Sequence, residues 1–577
     1  MKSFSYTSNK KDTGARLPEP REVMRVVEKL TKSERSLLMF LVVVFLVSTL
    51  TLLGIVNKKL FAQTPIKGGI VKEGIVGVPR FINPVLAVSD PDRDLSELVF
   101  DGLLKAESDG SYTADLAEEF IFSPDQKTVT VTLKDNLLWH DNVPLTADDV
   151  LFTIERIQDP ETRSPHKASW EGVTAEKTDD RTIKFTLAAA YTPFAENLTI
   201  GIIPKHIWES VRANEMLYST ANLNAIGSGP YFINEVNQNK SGIPEYINLK
   251  SWKKHLAGEA YIPKIKISFY SNEEALVAAF KSGAITSLSG ITPITAQLLE
   301  SQGVKVLEAP LPRVFGVFFD QKNTSILARK EVRLALEKVI NKDNLISETL
   351  LGYGTPLHGP LPPPFNEGTV SIGSASEAEA ILTKVGWKKN ADGLFELKTK
   401  TSTLKLSFSL STSNSEELKQ VADQLKSSWE KIGARVEVKV FDTGDLNQDV
   451  IRNRKYETLL FGEVVGRFPD PFAFWHTSQR LDPGLNIAMY SSSAVDKITT
   501  ELRATSDLAS RQELYSQLAD GVNAETSAIF LYSPHYLYVP GEKVHNVSLS
   551  GLGGPSDRFS SVSAWYIYTE PIWEFLN

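Results

Sequence analysis

The chain contains no cysteine among its 577 residues. That absence excludes disulfides, thiolate metal sites and a cysteine nucleophile, and it removes a lipid-modified N-terminal cysteine as an anchor. Histidine is sparse, with eight residues, and none stands in H-E-x-x-H or a comparable ligand spacing. There is no G-x-S-x-G elbow, and no Walker lysine or helix signal follows the glycine turn at Gly227. The body has no long basic run and the formal net charge is −8, so nucleic acid is not an expected partner. We therefore expect no catalytic centre, no metal site and no cofactor. At 577 residues the chain exceeds a single core, and two or three domains are the expectation.

The first positive feature is apolar. The run Leu37–Val56 is 20 residues long and uncharged, the length of a bilayer's hydrocarbon core. Nine basic residues precede it, from Lys2 to Arg35, and Lys58 and Lys59 follow. This bias predicts a cytoplasmic tail at 1–36, a transmembrane anchor at 37–56 in the lipid bilayer and a tether at 57–67. The body then lies outside the cell membrane. A cleaved signal peptide is the alternative, but the run is longer than a usual h-region and Leu60-Phe61-Ala62 is a poor cleavage site. A buried core helix fits less well, because the run is apolar on every face. Arg21–Leu30 reads as a short amphipathic helix.

In the body, strands and helices alternate, which argues for α/β lobes. Gly68–Gly77 reads as a glycine-punctuated strand closed by the turn Asn83-Pro84, and Leu95–Leu104 as a helix. Thr128–Leu133 and Arg181–Leu187 alternate with period two and read as strands. Thr146 caps a following helix, its hydroxyl offered to the amides of Asp148 and Asp149. Leu404–Leu410, Glu416–Ile432 and Arg435–Val440 have the size of a parallel βαβ crossover. Ser510–Glu525 reads as a helix and Ile529–Val539 as an aromatic strand.

Several blocks carry a resemblance. Leu133-Lys134-Asp135-Asn136-Leu137-Leu138-Trp139-His140-Asp141-Asn142-Val143-Pro144-Leu145-Thr146-Ala147-Asp148-Asp149-Val150 resembles the F-H-D-G-x-P-h-T-A-x-D-V block of the family 5 (oligopeptide-type) extracytoplasmic solute-binding proteins of ABC importers. Trp139 stands for the usual Phe and Asn142 for the usual Gly. Val99-Phe100-Asp101-Gly102-Leu103-Leu104, Ala114-Asp115-Leu116-Ala117, Gly227-Ser228-Gly229-Pro230-Tyr231, Val332-Arg333, Gly386-Trp387 and Asp470-Pro471 are similar to further blocks in the family's order. The resemblance covers roughly Gly68 to Trp573. It implies a two-lobed periplasmic-binding-protein-like α/β fold with an extra inserted domain. The expected limits are 68–310 for lobe I (insertion at about 101–185), 311–528 for lobe II and 529–577 for the return to lobe I. It also implies binding without catalysis: a peptide or small organic ligand enters the interlobe cleft, the lobes close, and ABC permease subunits receive it. A membrane-tethered solute sensor or scaffold without import is the alternative.

The glycine- and aromatic-rich segment Phe461–Trp475 is the expected ligand wall. In peptide-binding relatives an aspartate commonly lies three positions before the aspartate that matches Asp470, and it pairs with the ligand's amino terminus. Here that position is Arg467, a reversed charge that favours carboxylate or phosphate. A structural salt bridge is the other reading of Arg467, and Glu463 is then the candidate partner of an amine. Val464, Val465, Phe468 and Asp470 complete this wall, and Val88, Ser89 and Asp90 form the second. His140 and Asp141 read as turn-stabilising groups rather than a metal or acid–base pair. Trp170, Phe315 and Phe319 read as core rather than ligand shelf.

Overall fold

The computed structural model describes residues 20–107, 110–322, 324–365 and 373–573. The polar tail before Pro20 lies outside them. The chain divides into two units, residues 1–66 with 569–577 and residues 67–568.

In the first unit a short helix, Pro20–Glu28, precedes a 29-residue helix, Lys32–Leu60. Thr31 opens the long helix by donating its amide (2.9 Å) and hydroxyl (2.8 Å) to Glu34 Oε2. Within it, Lys32–Leu52 is long and apolar enough to cross a membrane. Its large side chains are exposed on every side, Leu37 at 60%, Phe45 at 69% and Leu50 at 69%. The tether expected at 57–67 is instead regular structure. The helix runs on through Asn57-Lys58-Lys59, which contains no helix breaker, and the strand Phe61–Ile66 follows, paired with the C-terminal strand.

The second unit is built on one long mixed sheet. Its order is Arg435–Phe441, Ser407–Ser413, Thr458–Val464, Arg313–Phe319, Ala528–Val539, Ser287–Ser289, Val71–Val76, Lys264–Tyr270, Pro244–Ser251 and Tyr231–Gln238. Strands 407–413 and 435–441 are parallel, as a crossover through the helix Glu416–Lys431 requires. The strand Ala528–Val539 spans both halves. Its first residues pair with Arg313–Phe319 (Phe318 with Ala528), and its last pair with Leu307–Pro310 and Ser287–Ser289 (Leu288 with Val539).

Buried apolar residues follow the same division. One cluster gathers residues 71–269 with Ala309, Leu311 and residues 536–565. Two others flank the sheet formed by 314–531. A four-stranded antiparallel sheet, ordered Ala117–Phe122, Thr128–Leu133, Thr182–Thr186 and Thr174–Lys177, joins the first cluster through Val129, Val131 and Leu133. Trp170 and Phe319 are core, while Phe315 is half-buried and stacks on Tyr532 with ring centroids 5.1 Å apart.

Two local expectations need correction. The helix expected at 95–104 is Asp90–Val99. Ser89 caps it by accepting from the Asp92 amide (3.3 Å), the Ser89 amide donates in return to the Asp92 carboxylate (3.1 Å), and Pro91 sits in the first turn. At Thr146 the bond that carries the cap runs the other way. The Asp149 carboxylate accepts from the Thr146 amide (2.9 Å) and from the Lys205 amide (2.8 Å).

Candidate functional site

The site is organised around the helix Asp90–Val99. Spacing of three and four residues sets Asp90, Arg93 and Glu97 on one face, while Asp94, Leu95 and Leu98 turn inward. Two sequence blocks hold the C-terminal end of this helix. The amide of Gly229 donates to Val99 O (2.8 Å). A Cβ on Gly227 would lie 1.9 Å from that same carbonyl, so only glycine allows the approach. His140 then clamps the turn. Its Nδ1 accepts from the Gly227 amide (3.2 Å) and its Nε2 donates to Gly229 O (2.9 Å). Burial pushes the His140 pKa down to about 4, which keeps the ring neutral in this donor–acceptor role. Asp141 accepts from Val143 N (3.1 Å) and pairs with His206 (2.9 Å).

A cavity of about 260 Å³ opens beside this helix. Arg93, Ser96 and Glu97 line it from the helix, Asp101, Lys105 and Asp115 from the segment that follows. His255, Asp557 and Arg467 also line it. Arg467 comes from the loop after Thr458–Val464 and reaches across to the C-terminal segment. Its Nη2 meets Asp557 Oδ2 at 2.5 Å and its Nε donates to Gly551 O at 2.8 Å. Asp557 also accepts from the amides of Gly553 (2.6 Å) and Gly554 (2.9 Å). Close by, the carboxylate of Glu196 takes the amides of Phe468 and Arg467, and Thr192 N donates to Arg503 O (2.7 Å). Two straps, through Asp557 and through Glu196, therefore tie the Arg467 loop to segments that carry the first cluster.

The cavity is rich in carboxylates. Burial pushes the Glu97 carboxyl up to about 8, with Asp557 adding to the rise and Arg467 opposing it. Burial pushes Asp115 up to about 7, with Asp101 adding to the rise. Asp101 Oδ1 faces His255 Nε2 at 3.4 Å. At the other end of the helix face lies Arg313, whose charged neighbours are Asp90, Arg93 and Glu417, and burial lowers its pKa.

Of the residues expected from sequence, Val88 (52% exposed), Asp90 and Val464 (61% exposed) are open to solvent, and Arg467 lines the cavity. Ser89 spends its hydroxyl on the helix cap. Phe468 is half-buried, edge-on to Tyr112 and under the Arg511 guanidinium at 3.9 Å. Glu463 turns away from the cavity. It is 5% exposed on the face of its strand that joins the third cluster, and burial raises its pKa well above the carboxylate range. Val465 is buried in the same cluster, and Asp470 is paired with Arg503 (2.6 Å). Asp101 and Asp115 stood only inside blocks of resemblance, Glu97 and Asp557 stood in none, and the sequence marked none of the four as a site residue. They are scattered along the chain, and no local spacing groups them.

The model of the bacterial extracellular solute-binding proteins, family 5 (middle region), matches residues 111–483. The oligopeptide-binding protein AppA of Bacillus subtilis is 24% identical over 518 residues, covering 85% of this chain and 93% of that protein. The probable D,D-dipeptide-binding periplasmic protein DdpA of Escherichia coli is 24% identical over 491 residues, covering 81% of this chain and 89% of that protein. Among solved structures, the ABC transporter substrate-binding protein CtaP of Listeria monocytogenes aligns with TM-score 0.73 at 25% identity, covering 87% of this chain and 100% of its own. AppA of Bacillus subtilis in complex with a nonapeptide aligns with TM-score 0.68 at 22% identity, covering 87% and 99%.

Proposed function

This chain belongs to family 5 of the bacterial extracellular solute-binding proteins, and on that premise we propose that it is the membrane-anchored receptor of a peptide importer. It captures a peptide or a similar organic solute between the helix Asp90–Val99 and the Arg467 loop, and delivers it to permease subunits in the same membrane. The observation that carries this reading is the polar cavity between those two elements, in a chain whose relatives are named for oligopeptide and D,D-dipeptide binding. Capture works by closure. The solute touches both walls only when the Arg467 loop lies against the first cluster, so binding shifts the population toward the closed form. The straps through Asp557 and Glu196 are contacts of that closed form.

The helix Lys32–Leu60 supplies the anchor in a chain that has no cysteine to lipidate. The basic tail favours a cytoplasmic N-terminus. Two measurements test the proposal. A tripeptide or oligopeptide library should contain members that raise the melting temperature, because a ligand bound only to the native state stabilises it by mass action. The full chain should remain in the membrane fraction after alkaline carbonate washing and keep its N-terminal residues. A soluble, shortened product refutes the anchor, and a silent library refutes peptide capture.

A further inference from the structure

We propose that Arg313 is a specificity-determining residue of the cleft, a guanidinium that receives a side-chain carboxylate of the captured solute, so that acidic peptides are preferred to neutral ones. The proposal rests on the peptide-capture reading and names the side-chain class which that reading leaves open.

Arg313 opens the strand Arg313–Phe319 and pairs in register with Val464, three residues before Arg467. Directly opposite residues of an antiparallel pair share a face, and alternation puts Phe315 on the same face as Arg313. That face is open: Val464 is 61% exposed. Phe315 lies over Gly462, where a Cβ would come within 2.6 Å of the ring, and stacks on Tyr532. The charges that act on Arg313 come from two helices, Asp90 and Arg93 from Asp90–Val99 and Glu417 from Glu416–Lys431. The guanidinium is half-buried, yet among the described residues none of its N–H groups donates a hydrogen bond and no carboxylate stands within ion-pair distance. The buried arginines of this body behave otherwise. Arg333 and Arg511 donate to backbone carbonyls, and Arg558 to two carboxylates.

The acids near Arg313 are already in use. Asp90 pairs with Arg93 at 3.7 Å, and Glu417 accepts from the Tyr532 hydroxyl at 2.6 Å. Burial raises the Glu417 carboxyl, which weakens it further as a counter-charge. A guanidinium cannot shed its proton, and donors withdrawn from water without an acceptor are costly. An acceptor brought by the solute removes that cost. Charge and shape narrow its class. A cation is repelled by Arg313 and Arg93, and a dianion by Asp90 and Glu417 on either side. A carboxylate carries one charge, is planar and takes two parallel bonds from the guanidinium fork, where a neutral amide oxygen cannot balance the charge. Val464 and Phe315 beside it offer apolar surface for the methylenes of an acidic side chain.

The test uses the full chain in a mild non-ionic detergent. Ala-Glu-Ala, Ala-Gln-Ala and glutarate are compared at about pH 7.5, where carboxylates are ionised, by thermal unfolding and by titration calorimetry. The site predicts that Ala-Glu-Ala binds at least about ten-fold more tightly than Ala-Gln-Ala. Arg313→Gln should bring the two peptides within about two-fold of each other, and Arg313→Lys, which keeps the charge without the fork, should retain part of the preference. The melting temperature of each variant without solute reports whether it folds. Equal binding of the two peptides to the wild type, or a preference that survives in Arg313→Gln, overturns the site while peptide capture stands. Stabilisation by glutarate alone, lost in Arg313→Gln, supports the site and withdraws peptide capture. Silence from all three removes both proposals.

Discussion

Arg558 gives the sharpest quantitative test of this fold. It is fully buried, with Nε and Nη2 on Glu73 Oε1 (3.0 and 2.6 Å) and Nη1 and Nη2 on the two oxygens of Asp94 (2.7 and 2.6 Å). Tyr538 donates to the remaining oxygen of Glu73 (2.8 Å). Replacing Arg558 by alanine leaves two carboxylates in the interior without a cation. Removing one partner of a buried pair costs about 3–5 kcal/mol. The deficit must also depend on pH. Burial already pushes Asp94 up to about 6 with Arg558 opposing the shift, so loss of Arg558 raises it further. A carboxyl whose folded pKa exceeds its unfolded value contributes stability fully below the unfolded pKa and loses it as pH rises through the folded pKa. One proton retained by the native variant between about pH 6 and 8 adds roughly 2.7 kcal/mol to the deficit. Urea unfolding followed by tryptophan fluorescence at both pH values measures this, and Asp94→Asn added to Arg558→Ala should recover part of the loss at the higher pH. A deficit equal at both pH values, or no recovery, refutes the account of Arg558 as the counter-charge.

Other outcomes follow from the same interior. Stability of the wild-type body should fall by on the order of 2 kcal/mol as pH rises from about 6.5 to 8, because Glu97 (about 8) and Asp115 (about 7) lose protons that the native state holds. Below about 6.5, His140 and His166, both pushed down to about 4, oppose that trend because the unfolded chain protonates them first, and a flat profile above 6.5 would contradict the assignment. Gly227→Ala should destabilise by about 1–3 kcal/mol, since its Cβ meets Val99 O at 1.9 Å, and denaturant unfolding checks it. A double-mutant cycle on Arg467→Ala and Asp557→Ala should give a coupling of about 0.5–3 kcal/mol, and zero coupling would mean that the strap is idle in solution.

What could be read from the chain, and what could not, divides by distance along it. Thr128–Leu133 stands where its patterning places it, and the crossover from Ser407 to Phe441 is parallel as its length implies. Their signals are local. The misplaced helix at 90–99 also had a local signal, Ser89-Asp90-Pro91-Asp92, a cap with proline in the first turn, but apolar spacing further on outweighed it. The glycine turn at 227–229 was legible as a turn, yet its purpose was not. Val99 and His140, which give it that purpose, lie far away in sequence. The cavity's acids were invisible for the same reason. Glu97 and Asp557 are separated by most of the chain, and a lone acid reads as a solvated surface group. Glu463 shows the converse, since strand alternation carries it into the interior while its neighbour Val464 faces water.

The strand Ala528–Val539 also dictates when the protein can finish folding. A ribosome delivers the N-terminus first, but the strand that joins Ser287–Ser289 and Arg313–Phe319 is made near the end, and Arg558 closes on Glu73 only later still. Until then the growing chain carries an unpaired sheet edge and two buried acids without their counter-ion. The central sheet and the cluster of Glu73, Asp94 and Arg558 therefore close only once the C-terminal residues are present. It follows that a stop codon ahead of Arg558 leaves Glu73 and Asp94 in the interior without their counter-ion.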